Sequence, residues 1–133
     1  MTIYTDWNEQ ECKKVARLSG VKQTEADVRY ARKIAYFSPR QLYVLRSNSF
    51  FLLAVRQTYT MRIMGIAVVK SEQRKGWGSR LLAKAIADSI RGGIARITTL
   101  TKSGADFYAK HGFDVVGMKG DEFRMELKLK QNI

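Results

Sequence analysis

The chain has 133 residues, and its 24 lysines and arginines outnumber its 12 aspartates and glutamates, which gives a net charge of +12. This length fits one domain with its own core, and an apolar share of 45% argues against intrinsic disorder. No apolar run reaches the roughly 20 residues of a membrane span, and the N-terminal residues lack signal-peptide features. One cysteine, Cys12, and one histidine, His111, exclude an internal disulfide and disfavour a zinc site. We therefore expect a single cytoplasmic domain over residues 1–133, with no metal and no membrane contact.

The charge suggests an anionic partner. A field of this sign attracts phosphates, so nucleic acid or a nucleotide cofactor is possible. The excess is spread over the whole chain rather than concentrated in a tail, and a solvated basic surface would give the same composition. Both interpretations stay open at this point.

Apolar periodicity and turn residues predict ten elements. Asp6 is a possible N-cap for the first helix, which Gly20 ends, and Thr24 opens a second helix that Pro39 stops. In chain order, the predicted elements are helices at 6–18 and 24–38, strands at 41–45, 50–55 and 60–69, a helix at 78–91, a strand at 95–100, a helix at 103–110, and strands at 113–117 and 123–129. This order predicts an α/β (α+β) domain with a mixed sheet.

The turn between the third strand and the third helix carries the clearest chemical signal. Gly76 and Gly78 interrupt it, and Arg74, Lys75 and Arg80 surround it with positive charge. Backbone N–H groups at a helix N-terminus bind phosphate, and glycines let the phosphate approach closely. The pattern suggests a pyrophosphate site, although an ordinary strand-to-helix turn with two glycines would look the same. It matches neither the Walker loop nor the dinucleotide fingerprint.

Two motifs in this half of the chain resemble a known family. Gln73-x-x-Gly76-x-Gly78 is similar to the Gln/Arg-x-x-Gly-x-Gly/Ala signature of the Gcn5-related N-acetyltransferases, the GNAT superfamily. About twenty-five residues downstream, residues 105–113 resemble that family's Ala-x-x-Phe-Tyr-x-x-x-Gly-Phe element. The resemblance covers residues 60–130, and the N-terminal half only by element order. It implies the GNAT fold, a central, mostly antiparallel twisted sheet flanked by helices and splayed at an acetyl-CoA site.

The resemblance also implies roles for individual residues. The strand before the signature would pair with the pantetheine arm of acetyl-CoA, and the turn would hold the pyrophosphate. Tyr108 would be the general acid for the departing thiolate, since a phenol with a reference pKa of about 10, above that of a thiol, carries a proton to donate. The cofactor-binding residues implied in this way are Ile66, Ala67, Val68, Gln73, Arg74, Lys75, Gly76, Trp77, Gly78, Ser79 and Thr101.

Several positions depart from the family pattern, among them Lys70, where the family often has a proline. Trp77 replaces a small aliphatic residue between the glycines, and Thr101 stands where an asparagine is frequent. Many relatives carry a glutamate base on the strand before the signature, whereas residues 61–69 contain no carboxylate. The general base is therefore unassigned, and a water chain or an acceptor that arrives deprotonated would serve.

The acceptor is not identified by the motifs. Arg29, Lys33 and Tyr36 recur at helical spacing on the second helix, where the family shapes its acceptor groove. Basic residues with an aromatic neighbour favour a phosphorylated or carboxylated acceptor over a cationic one.

Three functions remain open. The chain would transfer acetyl groups from acetyl-CoA to a primary amine of unknown identity, or act on nucleic acid such as tRNA or a DNA base. Alternatively, it would be a non-catalytic module of the same fold that binds nucleic acid or protein. A monomer or a homodimer is expected, since the last hairpin offers a free edge.

Overall fold

The chain folds around a six-stranded sheet, seen in a computed structural model that describes residues 2–130. All ten predicted elements are present, with short 3₁₀ turns at Pro39–Gln41 and Lys70–Glu72 that the sequence did not predict. The ten elements are α1 Glu9–Ser19, α2 Lys22–Phe37, β1 Leu42–Arg46, β2 Phe50–Arg56, β3 Thr60–Val68, α3 Trp77–Arg91, β4 Arg96–Thr101, α4 Ala105–Lys110, β5 Asp114–Lys119 and β6 Glu122–Lys128. In the described part of the chain, no helix has the length and apolar character required to cross a membrane.

The helix starts were the least accurate part of the prediction. Asp6 does not cap α1, because the Asn8 side chain accepts the Glu11 N–H at 3.0 Å and the helix begins after it. Thr24 does not open α2 either, since the helix starts at Lys22 and the Thr24 hydroxyl donates back to the Val21 carbonyl at 2.6 Å. At α1 the Asn8 side chain takes the capping contact, whereas Val21, the residue before α2, makes no side-chain capping hydrogen bond.

The strand order is β1-β2-β3-β4-β6-β5, and every neighbouring pair is antiparallel except β3 with β4. This confirms the predicted mixed, mostly antiparallel sheet. The parallel pair is short, since it runs only from Thr60 opposite Arg96 to Ile63 opposite Thr99. The sheet is therefore continuous at one end and open between its two halves at the other.

Helices cover both faces of the sheet and enclose two apolar cores. One core lies under α1 and α2 and includes Val15, Val28 and Phe51, while the other lies under α3 and α4 and includes Leu81 and Phe113. The central strand β3 contributes to both, because its side chains alternate between the faces. Each helix thus stands in a defined position relative to the open end of the sheet.

A buried arginine attaches the N-terminal segment to this scaffold. Arg46 at the end of β1 donates to the backbone carbonyl of Asp6 at 2.6 Å and to its carboxylate at 2.7 Å, and forms an ion pair with Glu11. Its backbone also bridges to Tyr4. The Asp6 side chain that failed to cap α1 is therefore used in this tertiary contact.

Replacing Arg46 with alanine should lower the free energy of unfolding by about 3 kcal/mol, because Glu11 would lose the cation that compensates its partial burial. Urea denaturation measures this change. The matched control is Lys102→Ala, whose pair with Asp121 at 2.6 Å is exposed on both sides, and which should leave the free energy of unfolding almost unchanged. Equal losses in the two variants would contradict a stabilising role for the buried network.

Candidate functional site: a split between two central strands

The second half of β3 is not paired with β4. After the pair Ile63–Thr99, β4 stays with β6 as far as Thr101 opposite Phe123, whereas β3 stays with β2 as far as Val68 opposite Phe50. We call the wedge between residues 64–68 and β4 the strand split. No strand of residues 2–130 pairs with the β3 edge that faces it. A strand edge of this kind can accept an extended ligand through main-chain hydrogen bonds.

Three of the predicted binding residues form this free edge. Ile66 and Val68 direct their side chains to the core under α3, and Ala67 directs its own to the core under α1 and α2. Only their backbone borders the strand split. The structure thus places Ile66, Ala67 and Val68 on the unpaired edge of β3.

A β-bulge at Met64 marks the apex of the strand split. Leu53 lies opposite Gly65 and Ala54 opposite Ile63, so Met64 is an extra residue in β3. The bulge reverses which side chains face which helices. Gly65 then faces α2, where an added Cβ would overlap Asp27 Oδ2 and lie 2.9 Å from its carboxyl carbon. A glycine at this position is what lets the Asp27 carboxylate rest on the strand backbone.

The turn after β3 is held by side chains rather than by its glycines alone. Gln73 Nε2 donates to the Val68 carbonyl at 2.8 Å and to the Ser19 carbonyl at 3.2 Å, and the Lys70 side chain lies over Gly20 at the end of α1. The first residue of the signature therefore anchors the turn to β3 and α1. What remains free to contact a ligand is the segment that follows.

We call residues 74–79 the glycine turn, which leads into α3. Arg74 and Gly76 both have positive φ, at 66° and 84°, and a Cβ on Gly76 would meet no atom within 4 Å. The turn is open to solvent and places its N–H groups at the positive end of the α3 dipole. Lys75 pairs with Glu72 at 3.2 Å, whereas Arg74 is exposed beside the turn.

Two further residues of the glycine turn pack against the body of the domain. The Trp77 ring lies 5.0 Å from the Phe50 ring, and Arg80 covers it at 4.7 Å. Ser79 Oγ lies 3.1 Å from His111 Nε2 at the end of α4. Trp77 is thus a half-buried structural residue, and His111 connects α4 to the start of α3.

Tyr108 lies on the α4 side of the sheet. It is 7% exposed and packs edge-to-face against Phe107 and Phe113, with ring centroids 5.2 Å apart in both pairs. Burial raises the pKa of Tyr108 to about 12, a hydrogen bond with Thr99 lowers it in part, and the charge of Asp27 raises it further. The phenol therefore keeps its proton. It also interacts electrostatically with Asp27, which lies on the opposite face of the sheet.

Thr101 stands at the carboxyl end of β4, as predicted. Its Oγ1 accepts the Gly104 N–H at 2.8 Å and so orders the short connection to α4. This bond supports the position of Tyr108 one turn later.

A cavity of about 300 Å³ opens on the α2 side of the apex, and we call it the split cavity. It is lined by α2, β3, β4 and β6, through Gln23, Ala26, Asp27, Tyr30, Arg62, Ile63, Met64, Leu100 and Glu122. Asp27 is only 7% exposed there. Burial raises its pKa to about 6, a hydrogen bond from Gln23 lowers it in part, and the charge of Glu122 raises it further.

The predicted acceptor residues do not line the split cavity. Arg29, Lys33 and Tyr36 lie on the exposed side of α2, where Tyr36 is 81% exposed. Arg29 instead borders a groove between α1 and α2, together with Lys13 and Arg17. The sequence interpretation thus selected one face of α2, and the cavity lies against another.

Two sequence signals point to the missed residues. Asp27 immediately precedes Val28 and stands four residues before Ala31, which places a carboxylate beside the buried stripe of α2. Gly65 interrupts an apolar strand, which indicates a close approach by another group. Neither signal identifies Glu122, since its position depends on how β6 lies in the sheet.

Comparison with known proteins assigns the family. The family model described as an acetyltransferase (GNAT) domain matches residues 38–115, which is more than half of the chain. The chain therefore belongs to the GNAT acetyltransferases. No curated protein sequence matches it.

Solved structures show the same fold at low identity. The PaiA N-acetyltransferase of Thermoplasma acidophilum, in complex with coenzyme A, is 19% identical with a TM-score of 0.73, and 97% of this chain covers 100% of that one. The ribosomal-protein-S18-alanine N-acetyltransferase of Escherichia coli is 16% identical with a TM-score of 0.78, and the match covers 98% of this chain and 95% of that one. A GNAT-family protein of Desulfovibrio desulfuricans is 14% identical with a TM-score of 0.81, and the match covers 96% of this chain and 98% of that one.

Replacing Asp27 with asparagine should raise the melting temperature at pH 7.5. A carboxyl whose folded pKa is raised from 3.8 to about 6 stabilises the fold below about pH 4, and that stability is lost as the pH rises through about 6. The ionised carboxylate therefore costs on the order of 3 kcal/mol at neutral pH.

The test is calorimetry of both proteins between pH 4 and pH 8. The gain of Asp27→Asn should shrink toward zero at the acidic end, because the wild-type carboxyl is protonated there. Glu25→Gln, an exposed carboxylate on the same helix, is the matched control and should show no such gain. A difference that is independent of pH would contradict a destabilised carboxylate.

Proposed function

We propose that this protein is an acetyl-CoA-dependent N-acetyltransferase that transfers the acetyl group directly to a primary amine. The observation that carries the proposal is the strand split, which has a phosphate-suited turn at its wide end and Tyr108 and Asp27 on either side of its apex. The Thermoplasma acidophilum structure, an N-acetyltransferase of the same fold with coenzyme A, supports this choice of donor.

The residues around the strand split fit acetyl-CoA along its length. The open glycine turn, with its N–H groups and nearby Arg74, suits the pyrophosphate. The free edge at Ile66, Ala67 and Val68 suits the two amides of the pantetheine arm, which would add to β3 like a short strand. An arm that runs back along β3 from the turn brings its acyl end to the apex.

Tyr108 is the proposed general acid. Its raised pKa keeps the phenol protonated at every physiological pH, so a proton is available when the carbon–sulfur bond breaks. The electron pair of that bond goes to sulfur, and Tyr108 donates its proton there. The attacking nitrogen must lose a proton to become an amide, and that proton restores the phenol. The two transfers balance, so Tyr108 ends the cycle unchanged.

Direct attack is favoured over an acetylated enzyme. Cys12, the sole cysteine, is a buried residue of α1 in the core that α1 and α2 form with the sheet, and burial raises its pKa to about 12. A thiol of that pKa is not a nucleophile at neutral pH. The amine itself is therefore the proposed nucleophile.

Replacing Gly76 with valine should weaken coenzyme A binding at least about tenfold, because a β-branched residue is strained at φ 84° and would crowd the phosphate path. Isothermal titration calorimetry measures the affinity. Gly93→Val is the matched control, since Gly93 also has positive φ, at 77°, and open space, but lies beyond the other end of α3. Similar affinity losses in both variants would contradict a phosphate role for the turn.

Replacing Tyr108 with phenylalanine should lower kcat by roughly 100-fold while leaving coenzyme A affinity unchanged, because only the proton donor is removed. Release of the coenzyme A thiol from acetyl-CoA, with a panel of primary amines, measures the rate. Tyr43→Phe is the matched control, since it removes another buried phenol that donates to Asp88 at 2.6 Å. That variant should lose stability by about 1 kcal/mol and keep its rate. Full activity of Tyr108→Phe would exclude this residue as the acid.

A further inference from the structure

The split cavity contains two carboxylates that form no ion pair with any described residue. Within residues 2–130, no lysine, arginine or histidine nitrogen lies within 4.0 Å of the carboxylate oxygens of Asp27 or Glu122. Asp27 accepts one long hydrogen bond, from Gln23 at 3.3 Å. Asp27 is buried and Glu122 is half-buried, and carboxylates withdrawn from water are normally paired, because desolvation disfavours the charge. The protein has a net charge of +12, so its overall composition does not explain why two carboxylates without an ion pair line one cavity.

The position of Asp27 connects this cavity to the chemistry of the strand split. Its carboxylate rests against Gly65, the residue that follows the bulge at the apex. A donor arm that runs along β3 from the glycine turn ends at this residue. Asp27 then stands on one side of the acyl group, and Tyr108 stands on the other side of the sheet.

We propose that the acceptor is an alkylamine with two ammonium groups, that Asp27 holds the reacting ammonium and takes its proton, and that Glu122 holds the second. This inference rests on the proposed acetyl-CoA-dependent activity and specifies the acceptor and the base of the same site. It replaces the anionic acceptor expected from Arg29, Lys33 and Tyr36, because those side chains lie outside the cavity.

The walls and size of the split cavity fit a short linear chain. Ala26, Ile63, Met64 and Leu100 provide apolar surface between the two carboxylates. A volume of about 300 Å³ is at the small end of the range for ligand sites, which suits a small molecule rather than a macromolecular segment.

Two cations lie near the carboxylates: Arg62 lines the split cavity, and Lys102, which pairs with Asp121 at 2.6 Å, is close to Glu122. Arg62 donates to the Tyr30 hydroxyl at 3.3 Å and lies over the Tyr30 ring at 5.6 Å, in an exposed position. The guanidinium is therefore engaged at the mouth and does not neutralise Asp27. The remaining groups that face Asp27 are Gln23 and Tyr30 on its own helix, Glu122 on β6 and Tyr108 on α4.

The protons of the reaction balance with Asp27 and Tyr108 alone. Asp27 takes one proton from the bound ammonium, which frees the nitrogen lone pair to form the carbon–nitrogen bond. Tyr108 gives a proton to the departing sulfur and regains one from the nitrogen. Asp27 releases the first proton to solvent, so the net products are an amide, a thiol and one proton. The raised pKa of Asp27, about 6, suits a group that accepts a proton and gives it up near neutrality.

The test compares three amines of similar length that differ in the charge at the far end. They are 1,5-diaminopentane, 1-aminopentane and 6-aminohexanoate, each assayed by thiol release from acetyl-CoA. The kcat/KM of the diamine should exceed that of the monoamine by on the order of tenfold, which is the contribution expected of one partly desolvated ion pair. The carboxylate-bearing amine should be the poorest, because Glu122 repels it.

Two variants separate the roles of the carboxylates. Glu122→Gln should bring the diamine and the monoamine to similar kcat/KM values. Asp27→Asn should lower kcat with every amine by roughly 100-fold and abolish the fall in rate below about pH 6. Glu25→Gln, which removes a charge from the opposite side of α2, is the matched control and should keep the wild-type preference.

The outcomes distinguish the inference from the activity on which it rests. If coenzyme A binds but 6-aminohexanoate is the best acceptor, no amine of the series is acetylated, or Asp27→Asn retains full activity, the inference is overturned and the donor site stands. If coenzyme A itself fails to bind, the proposed function and the inference fall together. A folded, more stable Asp27→Asn protein with normal coenzyme A affinity and little turnover would support both.

Discussion

The parting of β3 from β4 is the constraint on which the rest of this structure depends. Four residue pairs hold the two strands together, and the bulge at Met64 then redirects β3 while β4 continues beside β6. A sheet normally satisfies every interior edge. The free edge inside the sheet leaves a slot for an extended ligand. Helices border this slot on both faces of the sheet. The glycine turn, Tyr108 and Asp27 have their proposed roles only because they border this one opening.

Charge is distributed unevenly around that opening. The wide end carries the open N-terminus of α3 and the exposed Arg74, as an anionic donor requires, whereas the apex carries Asp27 and Glu122. The two ends of one strand split are thus suited to substrates of opposite charge. The raised pKa of Asp27 means that its ionised form lowers the stability of the fold. Such local instability is common where a group is kept reactive rather than well solvated.

The element types were predictable because periodicity reports which face of a segment is buried. The amphipathic pattern of α3 and the apolar runs of β1 and β2 required no tertiary information. The boundaries were less predictable, since Asn8 competes with Asp6 for the N-cap of α1 and Arg46 takes the Asp6 side chain into a distant contact. Whether Asp6 or Asn8 caps α1 therefore depends on Arg46 of β1, which lies far along the chain.

The sequence by itself determined the family, the glycine turn and the position of Tyr108, because these depend on local spacing within continuous motifs. Tertiary structure alone decided where the strand split begins and which face of α2 borders it. The bulge at Met64 sets both, and it depends on the pairing of β3 with β2 rather than on any local signal. Glu122 joins Asp27 only through the strand order of the sheet, in which β6 lies beside β4. The residues proposed to hold the acceptor are for this reason the ones that sequence motifs did not reveal.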